Sequence, residues 1–381
     1  MLVRRLLALV LSVSAMGACA TAADAEAPRL NQIQVIGSHN SYHIAPHPSV
    51  LALIAAGGKN HATGLDYSHR KLAEQFSELK IRQIELDVFS DPQGGRYANP
   101  TARKVLKGLG KDPGPDPDEG GALRKPGFKV FHVQDIDYLT TATTLVDALK
   151  QVRAWSQAHP RHVPIMILLE LKVEKFTALP THPAAFTKTE LDGVDAEVLS
   201  VFKRDEILTP DDVRGEYSTL PEAIQKRGWP KLSDVRGKVM FALDNEGEER
   251  TRYLEGHEAL KGRLMFVSVP ANHPAAAWMK INDVFADYDR IVEAVRAGFM
   301  VRTRADADTA ESRKNDTTRR DKALSSGAQY ISTDYAESRP DFSPYHVRLP
   351  KGIAARTNPI SGDPAQADLD LEGPVEANSG R

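Results

Sequence analysis

Short runs of apolar and β-branched residues recur along the chain, with helix-like stretches between them. From residue 33 onward they occupy 33–37, 83–88, 129–133, 164–171, 239–243, 264–269, 299–303 and 330–333. Each has the length and bounding turn residues of a strand. In the intervals, Leu72, Phe76 and Leu79 fall at i, i+4 and i+7, and Leu145, Leu149 and Val152 repeat that spacing. Ile291, Val292 and Val295 precede Gly298, a helix stop. Strands that alternate with helices predict parallel βαβ units, and eight of them predict an α/β protein closed into one (β/α)8 TIM barrel. An open doubly wound sheet is the alternative.

Three stretches fall outside this pattern. Residues 108–127 are rich in Gly, Pro and Asp, as in Asp112-Pro113-Gly114-Pro115-Asp116-Pro117, and read as a loop. Residues 350–381 hold few large apolar side chains and are expected to form a flexible tail. Residues 1–25 have the order of a signal peptide: Arg4 and Arg5, an apolar run, then Ala18-Cys19-Ala20 and further small residues. The barrel is therefore assigned to residues 26–349, in a protein that is secreted or periplasmic. Met16-Gly17-Ala18-Cys19 also resembles a lipoprotein cleavage site, so a form lipid-anchored through Cys19 is the alternative to simple secretion.

The charge of the 381-residue chain is close to balanced, at −2, which argues against a nucleic-acid partner. No Gly-rich phosphate loop precedes a helix, which argues against a nucleotide. Cys19 is the one cysteine, so an intrachain disulfide is excluded.

Polar residues collect where the expected strands end, the end at which barrels of this kind place their active sites. The first run leads into Ser38-His39-Asn40. The second carries Glu85 and Asp87, the third His132, and the fourth Glu170 and Lys172. The fifth ends at Asp244-Asn245, the seventh at Arg302 and Arg304, and the eighth at Asp334. Glu85 and Asp87 are two apart and share one strand face. Carboxylates crowded into a barrel mouth repel one another and lose hydration, which a bound cation relieves. The oxygen set Asn40, Glu85, Asp87 and Glu170 suits a hard divalent ion, Ca²⁺ or Mg²⁺. His43, His47, His61 and His69 are read as loop residues.

Several segments together resemble the calcium-dependent phosphoinositide-specific phospholipase C family of bacteria. They are Ile36-Gly37-Ser38-His39-Asn40-Ser41-Tyr42, Leu65-Asp66-Tyr67-Ser68-His69 and Ile81-Arg82-Gln83-Ile84-Glu85-Leu86-Asp87-Val88. Asp91-Pro92-Gln93-Gly94-Gly95-Arg96-Tyr97, Phe131-His132, Leu168-Leu169-Glu170-Leu171-Lys172, Arg302-Thr303-Arg304-Ala305-Asp306 and Ser332-Thr333-Asp334-Tyr335 extend the match. The resemblance runs from about residue 33 to about 336. It implies a distorted barrel of phosphodiesterases. It implies that His39 and His132 are the catalytic histidines and that Asn40, Glu85, Asp87 and Glu170 are calcium ligands. Lys172 stands where related barrels place a phosphate-contacting lysine. Arg302 and Arg304 match a motif and are grouped with it as candidate phosphate contacts.

The implied reaction is cleavage of phosphatidylinositol to diacylglycerol and a cyclic inositol phosphate. His132 would be the general acid, with His39 and Lys172 stabilising phosphoryl charge. The expected partner is a phospholipid headgroup at a membrane surface, with no obligate protein partner. The rivals are a glycerophosphodiester phosphodiesterase, a sphingomyelinase D-like phospholipase on the same barrel, and a non-enzymatic binding protein.

Overall fold

The structure is a computed structural model that describes residues 28–367 and 369–373. The segment expected to be a signal peptide, with Cys19, lies outside the described residues. The strands are β1 (Ile33–Ser38), β2 (Gln83–Phe89), β3 (Lys129–Val130), β4 (Ile165–Leu171), β5 (Val239–Leu243), β6 (Met265–Val267), β7 (Trp278–Lys280), β8 (Met300–Arg304), β9 (Tyr330–Thr333) and β10 (Ala355–Thr357). Eight of them lie side by side in the order β6-β5-β4-β2-β1-β9-β8-β7. Every neighbouring pair on this path is parallel. A single parallel bridge, Ser268 to Trp278, joins the two ends and closes the barrel. The closure is distorted at two seams. β6 and β7 have three residues each, and β1 meets β2 through the one register pair Gly37–Gln83. At that seam only glycine fits at position 37, because a Cβ would come within 1.8 Å of Gln83 Oε1.

Membership of the barrel differs from the sequence expectation in two strands. Residues 129–133 were expected to form a barrel strand. They instead give the two-residue β3, which returns antiparallel on β2. The stretch between β2 and β3 has no helix long enough to carry the chain back for a parallel pairing; it holds the helix Thr101–Gly108 and the Gly/Pro-rich loop. The vacant place is taken by β7, which follows Ala275-Ala276-Ala277. Alanines carry no strand signal, so the pattern passes over it.

The expected flexible tail is also corrected over its described part. β10 pairs antiparallel with β1, matching Ile33 to Thr357 and Val35 to Ala355. Leu371 is buried, and Glu372 makes an ion pair with the buried guanidinium of Arg82. The few apolar side chains of this segment suffice because it seals an existing sheet edge rather than building a core of its own.

The helices cover the outside through the stripes expected of them. Leu145, Leu149 and Val152 are fully buried on the helix Leu145–Ala158, whose N-terminus is capped by Thr144 accepting from Asp147 N at 3.1 Å. Leu72, Phe76, Ile291 and Val295 are buried likewise. A separate small core of Val50, Ala102, Leu106, Tyr138 and Leu139 lies under the loops at the carboxyl end of the barrel.

Candidate active site

The carboxyl ends of the strands deliver the site. On β2, Glu85 and Asp87 share a face that is buried. Asp87 sits in register beside Glu170 of β4, and Asp244 follows β5. Glu85, Glu170 and Asp244 each present an oxygen within 4.8 Å of the others. Burial pushes the carboxyl of Glu85 up to about 8 despite Arg302, with Asp244, Glu170 and Asp87 adding repulsion. Burial likewise pushes Asp87 up to about 8; Lys172 offsets part of this and Glu170 adds to it. Such a group of acids is costly without positive charge among them.

The chain's own cations supply part of that charge. Arg302 Nη2 lies 2.5 Å from Glu85 Oε2, Lys172 Nζ 3.0 Å from Asp87 Oδ2, and Lys280 Nζ 2.7 Å from Asp244 Oδ2. The opposite oxygens, Asp87 Oδ1 and Asp244 Oδ1, are buried with no hydrogen-bond partner, and so is Asn40 Oδ1. Asn40 reaches the site through a left-handed backbone (φ 44°), which Asn tolerates better than most residues. Its Nδ2 donates to Tyr67 Oη at 3.1 Å. Orphaned carboxylate and amide oxygens beside clustered acids are the donor chemistry of a hard divalent cation. Of the four oxygen ligands expected, Asn40 and Asp87 carry the orphans, while Glu85 and Glu170 join the cluster. Asp244 is the residue that sequence reasoning left out of the set, although its place at the end of the fifth run was visible.

His39 follows β1 and is held by Asp334, whose Oδ1 accepts from Nδ1–H at 2.7 Å. Burial pushes Asp334 up, but His39 and Arg304 together hold its carboxyl below the usual range. A carboxylate only accepts, so Nδ1 carries the proton and Nε2 the lone pair. Burial, with Arg304 close by, lowers the His39 imidazole to about 3, so the ring is neutral. Nε2 lies 3.7 Å from Glu85 Oε1 and 3.3 Å from Arg304 Nη1. Arg304 also donates to Asp334 Oδ2 at 3.0 Å, and Arg302 to Asn282 Oδ1 at 2.7 Å. Both arginines, expected at the site, are therefore in it, as partners of Glu85 and Asp334.

His132 lies in the loop after β3, where its Nδ1–H donates to Asp137 Oδ2 at 2.7 Å. Asp137 is fully buried and also faces His43 Nε2 at 2.9 Å. Burial pushes Asp137 up, but His43 and His132 together bring it down to about 2. His43 Nδ1 lies 3.0 Å from the carbonyl oxygen of Tyr67, and its ring stacks on Tyr67 at 4.3 Å. Both nitrogens of His43 thus face oxygens, which fixes its ring between Asp137 and Tyr67. The histidine pair reaches the carboxylates through Tyr67 and Asn40. Two of the presumed loop histidines are therefore structural: His43, and His69, whose Nε2 bonds the carbonyl of His39 at 2.8 Å. An open depression of about 390 Å³ beside the acids is lined by Glu170, Asp244, Asn245, Glu246, Lys280 and Asn282.

A parallel barrel with clustered acids and two carboxylate-backed histidines at the carboxyl ends of its strands defines the class: an enzyme of metal-assisted acid–base chemistry. The family model for Ca²⁺-dependent phosphoinositide phospholipase C matches residues 28–359. The chain belongs to that family and is a phosphoric diester hydrolase of the phospholipase C type. No curated protein sequence matches it. Among solved structures, it is similar to a calcium-dependent phosphoinositol-specific phospholipase C from Pseudomonas sp. The identity is 15% and the TM-score 0.50, covering 86% of this chain and 95% of that one. A Ca²⁺-dependent phosphatidylinositol-specific phospholipase C from Streptomyces antibioticus aligns at 19% identity and TM-score 0.44, covering 81% of this chain and 96% of that one. At 15% identity the likeness to the Pseudomonas enzyme concerns the fold.

Proposed function

We propose that the protein is an exported, calcium-dependent phospholipase C that cuts phosphatidylinositol between glycerol and phosphate, releasing diacylglycerol and first a cyclic inositol phosphate. The observation that carries this reading is the pairing of two carboxylate-backed histidines, His39–Asp334 and His132–Asp137, around a buried acid cluster with unpartnered oxygens. Export rests on the signal-like residues 1–25.

Asn40, Glu85, Asp87 and Glu170, with Asp244 beside them, would hold calcium, which supplies charge to a phosphate oxygen and lowers the pKa of the inositol 2-hydroxyl. The remaining steps fall to side chains. His39 has its Nδ1–H committed to Asp334, so it meets substrate only through Nε2, as a proton acceptor for the 2-hydroxyl. This differs from the sequence expectation of a charge-stabilising His39; that part passes to Arg304 and Lys172, the cations at its side and beside Asp87. His132, with Nδ1 fixed by Asp137, offers Nε2–H to the departing glycerol oxygen. Water then opens the cyclic phosphate with the two histidines exchanging roles.

The test is a panel of phosphodiesters incubated with and without Ca²⁺ and followed by phosphorus NMR. Phosphatidylinositol should give an early cyclic phosphate, and its 2-O-methyl analogue should remain intact. Rapid cleavage of that analogue, or a preference for deacylated glycerophosphodiesters, would overturn the proposal in favour of a glycerophosphodiesterase.

A further inference from the structure

The helix Thr101–Gly108 stands in the connection after β2, at the end of the barrel that carries the site. Its inner face is fully used: Ala102 and Leu106 are buried against Tyr138 and Leu139. Its outer face is not. Val105 is 40% exposed, and Leu109, just past the last turn, is 63% exposed. Lys104 precedes Val105 and Lys111 follows Leu109 by two residues, while Lys107 projects from the other side of the helix; all three are exposed and have no ion-pair partner among the described residues. The nearby acids Asp112 and Asp116 turn elsewhere, toward His47 at 3.9 Å and Arg103 at 3.6 Å.

We propose that this segment, Lys104 to Lys111, docks the enzyme on an anionic phospholipid bilayer. Exposed apolar side chains on a segment that also carries unpaired lysines match the two layers of such a surface, the acyl boundary and the phosphate plane. The inference rests on the reading of the substrate as a membrane lipid, whose acyl chains stay in the bilayer while the headgroup reaches the barrel mouth. The helix is tied directly to the catalytic loop. Asp135, in the loop between His132 and Asp137, accepts from Thr101 N at 2.9 Å through Oδ1 and from Ala102 N at 3.0 Å through its carbonyl. A bilayer held by this helix therefore lies next to the residues that protonate the leaving diacylglycerol.

The test uses vesicles of phosphatidylglycerol and phosphatidylcholine, which contain no inositol lipid, in a sedimentation assay. The double variant Val105→Asp/Leu109→Asp should lower the bound fraction at least roughly tenfold. Replacing Lys104, Lys107 and Lys111 by Ala should weaken binding by roughly fivefold per lysine at low salt, and by much less at high salt. Both variants should cut monomeric short-chain phosphatidylinositol at the wild-type rate, which also shows that they are folded. Unchanged vesicle binding in both variants overturns the proposal. So does an equal loss on vesicle-borne and monomeric substrate, or a wild-type dimer that the Asp variants dissociate while vesicle binding persists. Wild-type protein that sediments through this segment yet leaves monomeric phosphatidylinositol uncut would sustain the docking surface and defeat the substrate reading.

Discussion

Arg302 Nη2 and Glu85 Oε2 meet at 2.5 Å inside the barrel, joining β8 to β2, with both side chains almost wholly buried. The guanidinium opposes the upward push that burial gives the Glu85 carboxyl. Arg302→Met should therefore leave a buried acid uncompensated and lower stability by about 3 kcal/mol or more. Urea unfolding with and without Ca²⁺ checks this: calcium should stabilise the variant more than the wild type, because it replaces the missing positive charge. An equal calcium effect on both proteins would show that Arg302 and the ion do not share Glu85.

Metal dependence should follow the orphaned oxygens. Activity should vanish in chelator and return with Ca²⁺. Asp87→Asn and Asp244→Asn should each weaken calcium binding in titration calorimetry by at least about tenfold, since each removes a charge at an unpartnered oxygen of the site. Wild-type affinity in Asp244→Asn would confine the set to the four ligands expected from the sequence.

The His132–Asp137 pair should govern departure of the lipid. His132→Ala should slow diacylglycerol release by roughly 10²–10⁴-fold. Asp137→Asn, which removes the acceptor for Nδ1–H, should produce part of that loss. A substrate with a good leaving group, which needs no proton, should recover much of the rate in both variants. Equal losses on both substrates would show that His132 is not the acid.

One pH effect should be visible far from the site. His162 is buried with Nδ1 bonded to the carbonyl of Val163 and Nε2 facing the hydroxyl of Ser156, each at 2.7 Å. Burial lowers its imidazole to about 4, below its value in the unfolded chain. The unfolded state therefore binds the proton first as pH falls. The stabilisation from neutral His162 is complete above about pH 6.5 and is lost progressively toward pH 4, on the order of 3 kcal/mol. Urea midpoints of wild type and His162→Gln should converge across that window, the variant being the weaker at pH 7. Parallel curves would remove His162 as the cause.

Much of this molecule follows from residue order alone. The βα rhythm and the buried stripes Leu145–Leu149–Val152 and Ile291–Val295 are local periodicities, and burial obeys them. Glu85 and Asp87 had to share a strand face, and a parallel barrel had to present them, with His39 and Glu170, at one end. Those statements need only the two-residue period of a strand and the common direction of all the strands. Other features depend on partners distant in sequence. Trp278–Lys280 is a strand because β6 and β8 leave a gap that needs filling, while residues 129–133 lose that role because no crossover helix returns them in parallel. Residues 355–357 are ordered by an edge of β1 some 320 positions away. The same holds for chemistry. Asp334 on His39 spans 295 positions and Arg302 on Glu85 spans 217. A side chain's type says what it can do. Which neighbour orients it, neutralises it or leaves its oxygen unpaired is a matter of three-dimensional distance, and only the closed barrel sets that.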